Sequence, residues 1–426
     1  MGRPSQMPDI IRTIHSRVTE ERDAIVSLLR DLVAIPSFEG NIREVAARVE
    51  RELRALGFED IHYAPYGDIV ARIGPSSSGQ GATILRQGSG QASGRPYSQN
   101  SVRPRILLYD SHLDTVGVGD SAEWQHGPFS GAIENGMMYG RGTADEKGST
   151  PPMIYGLKIA HDLGLLDGIT AYYFGSIEEW CEGLSARVFA EEEKVRPDWV
   201  VIGEPTDLQV YRGHKGRAEF RVTAKGRSAH GASPWLGDNA VYKMQEVIRA
   251  IPELDARLPN HPFLGRGSIV VTHIESRESS FNAVPDRCSI VLDRRLTFGE
   301  TAEEALKQVR ALLPSSDFEA EVLRYNRPSY NGCLREVDQV FPAWAFDESH
   351  PFVQAALTAS RETGLATTTG KWNFSTNGAY WAGEAHIPSI GFGPGREDVV
   401  HTTDEHISLD DVVRAAEWYA MLPAQV

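Results

Sequence analysis

Apolar runs of strand length that alternate with stretches of helical period constrain this chain more than any other feature. "DIVARIG", "RILLYD", "ITAYYFGSIEE" and "DWVVIGEP" are such runs. Around them lie helical patterns: "EERDAIVSLLRDLVAI", with Ile25, Leu28, Leu29 and Leu32 on one face and Pro36 as its stop, a second after Asn41, its expected cap, and a third around "MIYGLKIAHDLG". Strands that alternate with helices imply an α/β domain with a mixed, largely parallel sheet.

After Arg212 the texture changes. "GRAEFRVTAKG" alternates like a half-exposed strand, "NAVYKMQEVIRAIPEL" is helical, "GSIVVTHIES" and "RCSIVLDRRL" are strands, and "TAEEALKQVRALL" is a helix. Strand, helix, two strands, helix is the skeleton of a ferredoxin-like α+β domain. We therefore expect residues 213–327 to be inserted into a first domain made of 1–212 and 328–426. Within the first domain, residues 75–104 are rich in Ser, Gly, Gln and Arg and cannot repay their ordering entropy by burial. They read as a flexible surface insertion.

Lys plus Arg total 43 against 58 for Asp plus Glu, a formal charge of −15, which argues against nucleic acid or an anionic membrane as partner. Cys181, Cys288 and Cys333 offer neither a disulfide framework nor a thiolate zinc site. No apolar stretch approaches membrane-spanning length, and the expectation is a cytoplasmic protein.

The chemistry concentrates where strands end. "RILLYDSHLDTV" closes on His112 and Asp114; "YGRGTADEKG" holds Asp145; "FGSIEEW" carries Glu178 and Glu179; "VVIGEPT" ends on Glu204; "VVHTTDEH" presents His401. Singly each has a bland reading, as a loop hydrogen bond, a turn, a solvated helix start or a cap. Jointly they would meet at the carboxyl ends of the strands of one open sheet, where α/β proteins bind ligands. Carboxylates crowded there raise one another's pKa, and a cation is the usual remedy. Two imidazoles with carboxylates suit zinc or a similar divalent ion, and five ligands (His112, Asp145, Glu179, Glu204, His401) serve two ions if one carboxylate bridges. Asp114 is then free to accept the other ring N–H of His112 and aim it. Glu178, beside the site, is placed to move a proton.

These motifs resemble the two-zinc metallopeptidase and deacylase family that includes succinyl-diaminopimelate desuccinylase, acetylornithine deacetylase, aminoacylase and glutamate carboxypeptidase. "FSTNGAYW" and "IGFGPG" look closest to its selenium-metabolism hydrolase branch. The resemblance implies that Asp145 bridges one ion on His112 and Glu204 and another on Glu179 and His401, and that the peptide after Asp145 is cis. It makes Glu178 the general base and Asp114 the support of His112. In the inserted domain, "GRSAHGASPW" resembles a lid motif whose His230 steadies the oxyanion, and "FNAVPDRCSIVLDRRL" implicates Asn282 and Arg295 in substrate binding, with Arg294 as the rival for an anion. A homodimer through the inserted domain is also implied, as are two zinc ions, with cobalt or manganese as substitutes. "TFGET" and "STNGAYW" depart from the family pattern near the substrate pocket. The expected activity is hydrolysis of a C–N bond in a small N-acylated amino acid or dipeptide-like molecule. The alternative is a catalytically silent metal-binding or regulatory protein on the same scaffold, which would have no use for Glu178.

Overall fold

A computed structural model describes residues 7–38, 42–75, 103–177 and 181–426. Asn41, Glu178, Glu179 and residues 76–102 of the expected insertion lie outside them. A nine-stranded mixed sheet forms the body. From one edge its strands are Glu59–Tyr63, Ile69–Ile73, Ile169–Ser176, Arg105–His112, Trp199–Ile202, Ser389–Gly391, Val210–His214 and Trp344–Ala345, with Thr369–Trp372 also paired to Val210–His214. The central four, Ile169–Ser176, Arg105–His112, Trp199–Ile202 and Ser389–Gly391, run parallel to one another.

Period-two alternation explains why these runs are apolar throughout. Leu107, Tyr109, Ala171, Tyr173 and Val201 face one core, and Leu108, Phe174, Val200 and Ile202 face another. Each large aliphatic side chain so buried contributes about 1.5–3 kcal/mol. The first core is closed by helices Thr150–Asp162 and Leu409–Met421. Gly156 lets these two approach, since a Cβ there would meet the Tyr419 Cβ at 2.6 Å and the Ala416 carbonyl oxygen at 3.0 Å. Helix Met7–Glu20 was not read from the sequence as a separate element, although Ile10, Ile11, Ile14 and Val18 recur at helical spacing and pack on the first core.

A second, five-stranded antiparallel sheet follows the order Ser268–Arg277, Arg287–Leu296, Gly216–Lys225, Phe318–Val322, with Val340–Phe341 also on Gly216–Lys225. Helices Ala240–Asp255 and Ala302–Arg310 cover one face through Met244, Val247, Leu306 and Val309 against Phe220, Val222, Ile290 and Leu292. Their starts are capped as the sequence directs: Asn239 accepts from the Val241 N–H at 2.9 Å, and Thr301 with Glu304 forms a capping box. By strand membership this unit runs from Gly216 to Phe341, past the 327 at which the sequence pattern ends. Val340–Phe341, two residues long, is too short to carry a period. Among the described residues no helix is long and apolar enough to cross a membrane.

Candidate metal centre

The parallel strands deliver their carboxyl ends to one place. Arg105–His112 ends on His112 itself, and Trp199–Ile202 leads through Gly203 into Glu204. Asp145 arrives on the turn before helix Thr150–Asp162, and its peptide bond to Glu146 is cis. His112, Asp145 and Glu204 each offer one ligand atom within 4.8 Å of the others. His112 Nε2 lies 2.9 Å from Asp145 Oδ1 and 3.9 Å from Glu204 Oε1. The second oxygen of Asp145 meets a different imidazole: Oδ2 is 3.0 Å from Nε2 of His401, a residue held at φ +59°. The two histidines differ in access, with 6% of the His112 side chain exposed against 51% for His401.

The tautomer of His112 follows from its neighbours. Nδ1 lies 2.9 Å from the backbone carbonyl of Asp114, an acceptor only, so Nδ1 carries the hydrogen and Nε2 is the nitrogen left to bind a cation. The aiming group is thus the Asp114 carbonyl; the Asp114 carboxylate expected in that place stands off at 3.8 Å. Burial pushes the His112 pKa down, but Glu146, Asp145 and Glu204 outweigh it and hold the ring well above the usual value in the absence of a cation. Burial likewise pushes Asp145 up, and the hydrogen bonds from His112 and His401 overcome it, holding the carboxylate ionised. A divalent cation bound there would replace a proton. Loading the chelated protein at pH 7 is expected to release about one proton per ion bound at His112, read from calorimetry in buffers of different ionisation enthalpy. Because the folded chain favours the imidazolium, the stabilisation it gives the metal-free protein is complete below an ordinary histidine pKa. It is lost as pH rises through the raised value.

Several residues that hold this cluster carried no signal in the sequence. Glu405, fully buried, accepts from the N–H groups of Ala144 (3.0 Å) and Asp145 (3.2 Å) and pairs with Arg141. Glu405→Ala would strand Arg141, which is expected to cost about 3–5 kcal/mol in urea unfolding. Glu146 accepts from the backbone N–H of His112. Lys147 donates to the carbonyls of Leu32 (2.9 Å) and Ile35 (2.8 Å), and burial pushes its pKa down to about 7. Gly395 has to be glycine, since a Cβ would overlap the Ala144 carbonyl beside Asp145.

A cavity of about 450 Å³ opens on the cluster, with His112, Asp145, Glu204 and His401 on one wall. The rest of the lining comes from Arg217 and Arg295 of the inserted sheet, Ser375 and Asn377 of the "NFSTNG" loop, and Glu182, just before helix Leu184–Glu193 of the body. Arg295 therefore faces the site. Arg294 does not: it is fully buried, paired with Glu300 and bonded to the Arg295 carbonyl. Adjacent strand residues point to opposite faces, which separates the two. Asn377 is already committed, donating to Asp110 at 3.1 Å and accepting from the Gly183 N–H at 2.8 Å. His230 and Asn282 lie side by side, joined through the Gly231 N–H to Asn282 carbonyl bond at 2.6 Å, but both are exposed and neither lines the cavity. Arg217 and Glu182 were not read from the sequence: Arg217 lies in an ordinary alternating strand, and Glu182 follows the Glu178–Glu179 pair as one more acid.

Comparison with known proteins agrees with this architecture. A family model described as "Peptidase family M20/M25/M40" matches residues 108–425. The uncharacterized protein YgeY of Escherichia coli (strain K12) is 38% identical over 399 residues, 93% of this chain and 92% of that protein. Acetylornithine deacetylase of Vibrio atlanticus (strain LGP32) is 29% identical over 71% of this chain and 77% of its own length. Among solved structures, the M20 family metallo-carboxypeptidase Sso-CP2 from Sulfolobus solfataricus superposes with a TM-score of 0.70 at 15% identity, covering 94% of this chain and 98% of that one. With His112, Asp145, Glu204 and His401 all inside the matched span, the chain belongs to peptidase family M20/M25/M40 and is a metallopeptidase-type hydrolase of C–N bonds.

Proposed function

We propose that this hydrolase cleaves an N-acylated amino acid or dipeptide-like substrate using two divalent ions held by His112, Asp145, Glu179, Glu204 and His401. The observation that carries the reading is Asp145, whose two oxygens lie 2.9 Å and 3.0 Å from two different imidazoles. A carboxylate so placed fits a bridge between one ion on His112 and Glu204 and another on His401 and Glu179. The donor set of imidazoles and carboxylates suits zinc, with cobalt or manganese as substitutes. When bound, such ions polarise the scissile carbonyl and lower the pKa of a water.

The chain's own residues supply the rest. Glu178 takes the proton of the attacking water and passes it to the leaving amine. The Asp114 carbonyl keeps His112 in the ligating tautomer. Arg295 receives the substrate carboxylate, for which a planar guanidinium is suited. His230 and Asn282 steady the oxyanion, reaching it by closure of the inserted domain, residues 213–327 by the sequence boundary, or from a second copy of the chain. A homodimer through that domain is supported by the edge strand Ser268–Arg277, on which Val270 and Ile274 are exposed. The deacetylase relative supports the N-acyl substrate class.

The test is a hydrolysis screen over N-acyl and N-carbamoyl amino acids and dipeptides, after chelation and after restoring zinc, cobalt or manganese. Turnover that vanishes with chelation and returns with the ion is expected. No turnover on any compound with both ions bound would contradict the reading.

A further inference from the structure

Where the inserted sheet meets the cavity it carries an ordered set of charges, of which Arg217 and Arg295 line the cavity itself. Arg217 and Arg295 are direct cross-strand partners, and so are Glu219 and Asp293, so all four share the face of the inserted sheet turned away from its helices. Each arginine has a carboxylate two residues along its own strand, but the two pairs are unequal. Asp293 grips Arg295 with two bonds, Nε to Oδ1 at 2.7 Å and Nη2 to Oδ2 at 2.9 Å, whereas Glu219 stands 3.6 Å from Arg217. A third carboxylate makes up the difference. Glu182, which comes from the body rather than the inserted sheet, meets Arg217 Nη2 at 2.6 Å, and its second oxygen accepts from the Ser375 hydroxyl at 3.1 Å. Only 14% of its side chain is exposed.

We propose that Glu182 determines specificity: it sits on Arg217 as an internal carboxylate, so the cavity admits substrates with one carboxylate, held by Arg295, and disfavours those with two. The inference rests on the reading above for the location of the substrate. Two of the five N–H groups of Arg295 are taken by Asp293, and the remainder of that guanidinium lines the cavity. A second substrate carboxylate reaching Arg217 would meet Glu182 at close range in a partly dry site, where like charges repel strongly. Removing the Glu182 charge without changing its shape takes away the nearest repelling carboxylate and leaves Glu219, at 3.6 Å, as the weaker partner of Arg217.

The test is calorimetric titration of the metal-replete protein with glutarate and with valerate, which share a chain length and differ by one carboxylate. Metal ions and Arg295 can bind the carboxylate common to both, so the ratio of the two affinities reads the second one. Glu182→Gln is expected to raise the glutarate-to-valerate ratio roughly tenfold, the effect of one charge-assisted bond. Glu182→Gln combined with Arg217→Gln should return the ratio to the wild-type value. A purely structural tie between Glu182 and Arg217 would weaken both ligands together. The inference is overturned by a ratio within about twofold of wild type in the single variant, by an elevated ratio that survives the double one, or by binding of neither ligand. Binding is read without turnover, so failure to hydrolyse any substrate would count against the functional reading alone.

Discussion

Asp145→Ala is expected to lower turnover at least about a thousandfold, because it removes a carboxylate that touches both imidazoles and, in our proposal, both ions. The loss of several kcal/mol of carbonyl polarisation and water activation sets that scale. Metal content should fall with activity, since neither His112 with Glu204 nor His401 with Glu179 retains a full tetrahedral set. Asp145→Asn separates the roles further. It keeps the side-chain shape and the backbone bonds to Glu405, but it offers a single carbonyl oxygen and no charge. One ion, on the buried His112 side, should remain at reduced affinity, with turnover still near the alanine level. Elemental analysis of the dialysed variants beside kcat/KM distinguishes these outcomes.

Glu178→Gln should behave in the opposite way: metal content unchanged and turnover lowered about a hundredfold to ten-thousandfold, the range of general acid–base catalysis. Glutamine preserves the side chain's size and can still accept a hydrogen bond from water, but it cannot take a proton. Because Glu178 serves in the proposal as a base and Glu179 as a ligand, neighbours in sequence should give different signatures. Glu179→Gln should lose an ion as well as activity, and His112→Ala likewise. A Glu178→Gln enzyme that turns over at near-normal rates would remove the proton-transfer step from the mechanism.

How far the sequence reaches is visible in particular residues. His112 and Glu204 were legible because apolar runs fix the strands, strands fix their carboxyl ends, and a polar group at such an end has one place to be; Asp145 was legible as the acid of the glycine-rich "YGRGTADEKG". The inserted sheet was legible through alternation, but Arg294 and Arg295 stayed rivals in the sequence, and it is the burial of Arg294 that separates them. Glu405, Glu146 and Lys147 were not, because their roles come from contacts between elements: Glu405 lies far along the chain from Asp145 and is bound to its N–H. A buried acid leaves the same letter in the sequence as a solvated one. Glu182 is the sharpest case, since only the seating of the inserted sheet against the body brings it to Arg217. The wider reach of that unit, to Phe341, was hidden by the brevity of its last strand.

In the proposed site one carboxylate serves two cations. The most direct measurement is a crystal structure of the chain grown with excess zinc, with anomalous scattering used to locate the ions. Two ions are expected about 3.5–4 Å apart, one on each oxygen of Asp145, with His112 on the first and His401 on the second. A single ion, or two ions with Asp145 bound to only one of them, would contradict the proposal.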